Sequence, residues 1–304
     1  MMKKPLKLGF IYSFSTAENF FMEALGRRFD VKRDDKNPDY LIFGDLNPNQ
    51  SFYTDSHYNW SQFKNPNMVT IAFTGENVRP PLDKAHFAIT FDHLNTSRHY
   101  RLPLYVVDMH GAVQEGWTDD FYQIKNVVHD YEKDYDNRDF CSFVVSNPRQ
   151  EMRNAMFHLT SQYKKVHSAG PHLNNMNAIL PRDKLKYKLE FLNNYRFNIC
   201  FENGSYPGYV TEKILNAFQT KTMPIYWGSP TVNRDFNTEA FINVHNFKTL
   251  DDVVDYIRHL DSPAGKQEYL DKIERTVFKN DIPNEFTDLN NLCDWWETFV
   301  MGGK

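Results

Sequence analysis

The chain has few cysteines, no long hydrophobic run and no large excess of either charge, and each of these absences excludes a class of protein. Only three of the 304 residues are cysteine, and their spacing fits neither a disulfide scaffold nor a zinc site. No apolar run approaches the roughly 18 residues that a membrane-spanning helix needs. The formal net charge of −4 argues against general nucleic-acid binding. We therefore expect a soluble protein from a reducing compartment.

Several common nucleotide- and metal-binding motifs are also absent. No G-x-G-x-x-G follows a predicted strand, no G-x-x-x-x-G-K-[ST] occurs, and the eleven histidines form no H-E-x-x-H. These absences argue against a nicotinamide dehydrogenase, a P-loop kinase and a zinc peptidase. Asp134-Tyr135-Asp136 matches the acidic pattern with which some sugar transferases hold a divalent metal. It falls in a charged segment that we interpret as a linker, so a solvated charge run is the favoured interpretation.

Short apolar runs alternate with helical patterns along most of the chain, which predicts an α/β fold with mainly parallel sheets. The strands predicted in the first half are residues 6–12, 39–45, 67–77, 86–92 and 101–107. The polar segment 127–139 is interpreted as the connection to a second α/β set.

The predicted organisation is two α/β domains facing across a cleft, with ligands at the carboxyl ends of the strands. The predicted domains are an N-terminal domain at 1–138 and a C-terminal domain at 139–285. They are followed by a helical segment at 286–304, for which the N-terminal domain is a candidate packing surface.

Residues 197–229 carry the strongest indication of function. Their pattern predicts a buried strand, a Gly/Pro-rich loop, a helix and a second buried strand. Thr211 is a candidate N-cap, which places Glu212 and Lys213 in the first helical turn. A helix N-terminus after a strand is a natural phosphate site. A lysine for charge, a carboxylate for hydroxyl groups and the nearby Asn203 and Tyr209 together indicate a sugar nucleotide.

Two further loops follow predicted strands. Glu76 comes directly after a strand and a glycine, where it can act as a general base, although on position alone a turn carboxylate or helix cap is the favoured interpretation. The segment 146–153 predicts a helix N-terminus with Pro148 at the first helical position. Arg149 and Arg153 both lie near it, and either guanidinium can bind phosphate oxygens through paired hydrogen bonds.

These segments resemble the α-1,3/α-1,4-fucosyltransferases that use GDP-fucose. The resemblance rests on FNICFENGSYPGYVTEKILNAF and MPIYWGSP, and on FTGEN and FCSFVVSNP, which are similar to segments of the bacterial members. It implies a GT-B fold of two Rossmann-like domains, with the acceptor on the N-terminal half and GDP-fucose on the C-terminal half. By matching position, Glu76 is identified as the catalytic base. The donor-binding residues implied in the same way are Arg153, Asn203, Tyr209, Glu212 and Lys213.

The resemblance further implies an inverting transfer of L-fucose from GDP-fucose to a GlcNAc hydroxyl, most simply O3. The acceptor would be a β-galactosyl-N-acetylglucosamine glycan, and the product a Lewis-type glycan. No metal or other cofactor is expected to be essential. Two alternatives stay open: a non-catalytic glycan- or nucleotide-binding protein on the same fold, and a transferase for another nucleotide sugar.

The chain lacks the heptad repeats and basic tail that bacterial relatives can carry, and also the membrane anchor and disulfides of animal relatives. A bacterial, cytoplasmic enzyme is therefore expected. Peripheral association with the inner membrane through a tail outside this sequence is a further expectation.

Overall fold

The computed structural model describes residues 3–45, 58–79, 82–114, 129–181, 185–279 and 289–302 of the chain. Contacts between residues divide the chain into a first unit, Met1–Gly111 with Asp281–Lys304, and a second unit, Ala112–Asn280. These bounds differ from the boundaries predicted at residues 138 and 285, and the predicted domain limits stay a prediction.

The first unit contains a six-stranded, wholly parallel sheet in the order β2-β1-β3-β4-β5-β6. From β1, the chain first adds a strand on one side and then adds all later strands on the other. Loops diverge at such a reversal, which makes the carboxyl ends of β1 and β3 a place where a ligand can bind. The strands β1 to β6 are Pro5–Ile11, Asp30–Arg33, Tyr40–Phe43, Val69–Phe73, Phe87–Thr90 and His99–Arg101. The helices are α1 at Ser15–Gly26 and α2 at Leu104–Gln114.

The second unit contains a five-stranded parallel sheet in the order β11-β10-β9-β7-β8. All seven residues of the central strand β9 are buried, as expected for a parallel strand covered on both faces. The strands β7 to β11 are Asp139–Phe143, Val166–Ser168, Tyr195–Phe201, Met223–Trp227 and Ile242–Asn243. The helices α3 to α8 are Tyr131–Asn137, Glu151–Tyr163, Leu185–Leu192, Glu212–Gln219, Leu250–Leu260 and Lys266–Ile273.

The structure confirms most predicted strands and corrects one. Residues 101–107 were predicted as a strand, but only Arg101 belongs to β6, and Leu104 already begins α2. Nearly every side chain at the start of this helix is buried, so the apolar run shows no helical stripe. A short run of this kind does not distinguish a buried strand from a buried helix.

The prediction of a polar linker at 127–139 is also wrong in part. Residues Tyr131–Asn137 form helix α3 inside the second unit, and Asp130 caps it by accepting the backbone N–H of Lys133. Asp134 contacts Arg138 and His129, and Asp136 pairs with Lys266. The acidic pattern therefore forms ion pairs within the protein.

The C-terminal residues form a helix at Asn290–Trp295, which continues as a π-helical turn at Trp296–Met301. This C-terminal helix packs on α1 and on the first sheet. The ring of Trp296, which is fully buried, lies 5.6 Å from that of Tyr40, and the indole N–H of Trp295 donates to the carbonyl of Ser97 at 3.1 Å. None of the helices in the described ranges combines the length and apolar character needed to cross a bilayer.

Candidate functional site

The loop that follows β9 in the second unit is shaped by a glycine and by contacts to the loop that follows β10. Gly208 has φ 87°, a left-handed conformation that side chains disfavour. Its N–H donates to the hydroxyl oxygens of Ser229 and Thr231 at 2.9 and 3.0 Å. The next residue, Tyr209, is only 1% exposed. The loop is therefore held by hydrogen bonds from its backbone to two side-chain hydroxyls of the loop after β10.

Arg153 lies in the first turn of α4 and is fully buried. Its guanidinium donates to the side-chain oxygen of Asn203 at 2.9 Å and to the carbonyl of Phe201 at 3.3 Å. A further guanidinium nitrogen donates to the carbonyl of Asn147. The structure thus joins two predicted donor-binding residues, Arg153 and Asn203, across the ends of neighbouring strands. Arg149, the alternative arginine, is exposed.

The predicted start of α4 is wrong by three residues. The helix begins at Glu151 and not at Pro148, and its N-cap is Gln150, whose side-chain oxygen accepts the N–H of Met152. Asn147 instead accepts the N–H of Arg149 in a local turn. This later start is what places Arg153 in the first helical turn.

Lys213 and Glu212 open helix α6, as predicted. The ammonium of Lys213 lies 3.1 Å from a carboxylate oxygen of Glu202 and 3.7 Å from one of Glu212. Lys188 of α5 approaches Glu212 to 3.5 Å. Thr211 is the N-cap by position, but its hydroxyl donates to Glu202 and does not cap the helix.

The charges at this helix N-terminus act strongly on one another. Burial alone would raise the pKa of Glu212, but Lys213 and Lys188 lower it to about 2. Burial alone would lower the pKa of Lys213, but Glu202 and Glu212 raise it, while the charge of Arg153 acts to lower it. The positive charge of Arg153 thus opposes the charged form of Lys213. Burial lowers the pKa of Arg153 as well, and Glu202 opposes that effect.

Glu202 is the residue of this site that the sequence analysis did not assign a role. It is fully buried directly after β9, where it accepts hydrogen bonds from both the N–H and the hydroxyl of Thr211. The signal was present in the sequence, because a carboxylate that directly follows a buried strand seldom lies inside a protein without a cation.

Glu76 lies in the first unit, in the loop that follows β4. Its N–H donates to the carboxylate of Asp45 at 3.1 Å, and the hydroxyl of Thr74 donates to the same oxygen at 2.7 Å. Asp45 follows β3, the neighbouring strand, and is 3% exposed. The Glu76 side chain is partly exposed. Asp45 is thus a second residue that the sequence analysis missed, and it fixes the backbone of Glu76.

The loops after β1, β3 and β4 approach one another closely. A Cβ at Gly44 would lie 2.3 Å from the carbonyl oxygen of Tyr12, and one at Gly75 would lie 2.6 Å from the ring of Phe14. Burial raises the pKa of the Asp45 carboxyl, although the hydrogen bonds from Thr74 and Glu76 act to lower it. Glu76 is therefore presented by a tightly packed loop.

The six predicted site residues form two groups. Arg153, Asn203, Tyr209, Glu212 and Lys213 lie at the carboxyl end of the second sheet, and Glu76 lies at the carboxyl end of the first sheet. Within the described parts of the chain, no group of three or more His, Cys, Asp or Glu side chains is placed to hold a metal ion.

Comparison with known proteins identifies the class. A crystal structure of an alpha1,3-fucosyltransferase with GDP-fucose matches 99% of this chain and 91% of its own, with a TM-score of 0.75 and 27% identity. A crystal structure of an alpha1,3-fucosyltransferase with GDP matches at 28% identity and a TM-score of 0.75. The two parallel α/β sheets therefore form a GT-B glycosyltransferase fold.

Sequence comparison then identifies the family. Residues 135–295 match glycosyltransferase family 10 (fucosyltransferase), C-terminal part, and residues 8–108 match the alpha-(1,3)-fucosyltransferase FucT N-terminal domain. The alpha-(1,3)-fucosyltransferase FucT of Helicobacter pylori is 36% identical over 68% of this chain, and this chain spans 47% of its length. The chain belongs to glycosyltransferase family 10, the fucosyltransferase family.

Proposed function

We propose that the protein is an inverting fucosyltransferase that moves L-fucose from GDP-fucose to O3 of GlcNAc in N-acetyllactosamine-type glycans. The product is a Lewis-type fucosylated glycan. Family membership supports the reaction class, and a related alpha1,3-fucosyltransferase crystallised with GDP-fucose supports the donor. The relative from Helicobacter pylori is an alpha-(1,3)-fucosyltransferase, which favours O3 as the target.

The convergence of two cations is the observation that carries this proposal. Arg153 donates to Phe201 and Asn203, and Lys213 pairs with Glu202, the residue between them, so two cations from different helices meet at one loop. Two carboxylates, Glu202 and Glu212, lie among three cations at this site, which leaves a net positive charge for an anion to neutralise. The diphosphate of GDP-fucose, bound at the N-terminus of α6, supplies that anion. The buried Nε of Arg153 has no hydrogen-bond partner among the described residues, and a phosphate oxygen would satisfy it.

The remaining donor-site residues take the polar parts of the ligand. The side-chain oxygen of Asn203 accepts from Arg153, so its amide nitrogen is the group that donates to the diphosphate. The carboxylate of Glu212 accepts hydrogen bonds from ribose or fucose hydroxyls. Tyr209, which is almost fully buried, is the second residue that would position the diphosphate.

The proposed chemistry is a single displacement at the anomeric carbon of fucose. Glu76 accepts the proton of the acceptor hydroxyl while that oxygen forms the new bond to carbon. The bond from carbon to the diphosphate oxygen breaks, and GDP leaves with its electron pair and its negative charge. Arg153, Lys213 and the helix N-terminus stabilise that growing charge. We propose that these fixed positive groups make a divalent metal unnecessary.

We also propose a cytoplasmic location in a bacterium. The three cysteines are buried, and none forms a disulfide, which is typical of a reducing compartment. Cell fractionation of the native source tests this assignment and also detects association with the inner membrane.

Nucleotide-dependent thermal protection tests the donor. We expect GDP to raise the midpoint of thermal unfolding, while UDP and CMP at the same concentration leave it unchanged. Protection by UDP or CMP instead would favour a transferase for another nucleotide sugar. Protection by GDP without transfer to any acceptor would favour a non-catalytic nucleotide-binding protein.

A further inference from the structure

We propose that Glu202 is a positioning residue of the donor site, whose buried carboxylate holds the ammonium of Lys213 and the first turn of α6 in place for the diphosphate. This inference rests on the proposed function. It assigns Glu202 no contact with the substrate, because its carboxylate oxygens are already taken by Thr211 and Lys213.

Three hydrogen bonds converge on the Glu202 carboxylate. One oxygen accepts the backbone N–H of Thr211 at 2.8 Å, and the other accepts the Thr211 hydroxyl at 2.7 Å and the Lys213 ammonium at 3.1 Å. The same hydroxyl also contacts the ammonium at 2.8 Å. Glu202, Thr211 and Lys213 thus form a closed triangle of contacts that begins at the end of β9 and ends in the first turn of α6.

Helix electrostatics explain why Lys213 needs this anchor. A cation in the first turn is repelled by the positive end of the helix dipole, and Arg153 repels it further. Glu212 can compensate only in part, because it lies 3.7 Å away and also pairs with Lys188. Glu202 lies closer and has no exposed surface, so water screens its charge less than that of Glu212. Glu202 is therefore the carboxylate that fixes the position of the ammonium.

Gly228 provides the space that Glu202 occupies. A Cβ at this position would lie 2.4 Å from Cγ of Glu202 and 2.6 Å from the hydroxyl of Tyr226, although Gly228 is not among the residues with positive φ. The glycine is therefore explained by the close approach of the Glu202 side chain and not by backbone conformation.

Glu202→Gln distinguishes a role in positioning Lys213 from a general electrostatic effect of the Glu202 charge. The substitution keeps the side-chain volume and an oxygen for the Thr211 N–H, but it removes the ion pair with Lys213. If Glu202 acted only as a negative charge near the site, its removal would tighten the binding of anionic GDP. If Glu202 positions Lys213, the same substitution weakens GDP binding and slows transfer.

The first experiment measures GDP affinity by calorimetry and the pH dependence of fucose transfer for wild type, E202Q and E190Q. Glu190 is an exposed carboxylate of α5, so E190Q removes the same charge outside the site and should behave as wild type. We expect E202Q to lose about 10- to 100-fold in kcat/KM, the size of loss that follows when the partner that orients a metal ligand is removed. In E202Q, the fall in transfer rate at alkaline pH should begin at a lower pH, because no carboxylate at position 202 favours the charged form of Lys213.

The outcomes separate the two proposals. GDP binding that is unchanged or tighter in folded E202Q, with an unchanged alkaline limb, overturns the role of Glu202 alone. Absence of GDP binding in the wild type overturns the proposed function, and with it the donor role of Glu202.

Two further measurements keep the inference testable if E202Q does not fold. Glu202→Asp keeps the charge but moves the carboxylate away from Lys213 by the length of one methylene. We expect a loss of about tenfold in kcat/KM. Full activity would contradict the positioning role of Glu202. In the unmodified protein, acetylation of Lys213 followed by mass spectrometry across pH reports the pKa of this amine. A pKa above the ordinary lysine value of 10.5 is expected, and an ordinary value would contradict the pairing.

Discussion

At the scale of single residues, Arg153 combines complete burial with a charge, which is costly unless the protein provides acceptors. Two backbone carbonyls and the Asn203 side chain provide them. The guanidinium is consequently fixed before any ligand arrives. A fixed positive group stabilises a leaving group without the reorganisation that a mobile side chain would need.

Replacing Arg153 by alanine should weaken GDP binding and lower kcat by about 100- to 1000-fold. Steady-state kinetics and calorimetry measure the two effects. Arg149→Ala is the matched control, because Arg149 is an exposed arginine four residues earlier in the chain. Equal losses in the two variants would contradict the assignment of Arg153 to the donor site.

Replacing Glu76 by alanine should abolish most transfer but preserve GDP binding. Loss of a general base typically costs about 100- to 10,000-fold in rate, while the donor-binding residues stay intact. Single-turnover transfer assays and calorimetry with GDP measure the two quantities. Asp83→Ala, which removes an exposed carboxylate of the same unit, is the control. Near wild-type turnover of Glu76→Ala would show that another group is the base.

The sequence identified the loops of the site but not the residues that support them. Asn203 and Lys213 stand out because polar residues follow an apolar strand, and this pattern is visible without a structure. Choosing Arg153 over Arg149 required the family resemblance, since both lie near the same predicted helix start. Asp45 and Glu202 were missed because their partners, Glu76 and Lys213, are distant in sequence or separated by an irregular loop.

At the scale of elements, the N-terminus of α6 is a cluster of opposite charges whose stability depends on pH. The folded-state pKa of Glu212 is about 2, below its ordinary value of 4.5. The unfolded chain therefore binds the proton more readily, so this group stabilises the fold above about pH 4.5 and loses its contribution as pH falls towards 2.

Thermal unfolding of wild type and Glu212→Gln across acidic pH tests this contribution. We expect the wild type to be the more stable protein near neutral pH, and the difference in unfolding midpoint to shrink as pH falls from about 5 to about 2. A difference that stays constant over this range would contradict the lowered pKa of Glu212.

The C-terminal helix is held to the first unit mainly by tryptophan packing. Trp296→Ala should lower the free energy of unfolding by about 3 to 5 kcal/mol, because it leaves a large cavity against Tyr40. Phe299→Ala is the control, since the Phe299 side chain in the same helical turn is 40% exposed. Urea unfolding of the two variants measures the difference. A loss for Trp296→Ala no larger than that for Phe299→Ala would contradict the role of Trp296 in holding the helix.

Whether a segment is a helix or a strand was predictable where its hydrophobic pattern was clear. The first and last residues of these elements were not predictable. The structure confirms the strand-loop-helix pattern at 197–219, because a buried strand and an amphipathic helix have distinct sequence signals. Residues 101–107 were misassigned because a helix buried on most sides has no polar stripe. Helix α3 was missed because only Tyr135 within it is buried, which is too little apolar surface to show a period.

At the scale of the whole molecule, the α/β class followed from the alternation of strands and helices, and the structure confirms two parallel sheets. The strand orders, β2-β1-β3-β4-β5-β6 and β11-β10-β9-β7-β8, did not follow. Strand order depends on which edge each crossover returns to, and a local hydrophobic pattern does not encode that choice. Likewise, the fold alone does not identify the sugar or the nucleobase of the donor, and only the family resemblance indicated fucose and guanine.

The central claim, transfer of fucose from GDP-fucose, is tested most directly by one assay. The protein is incubated with GDP-fucose and N-acetyllactosamine, with and without EDTA, and the linkage of any product is determined. We predict an α-1,3-fucosylated product at a rate that EDTA does not change. GDP binding without a fucosylated product from this or any other β-galactosyl-N-acetylglucosamine acceptor would contradict the transferase assignment, and loss of transfer in EDTA would contradict its independence of a metal.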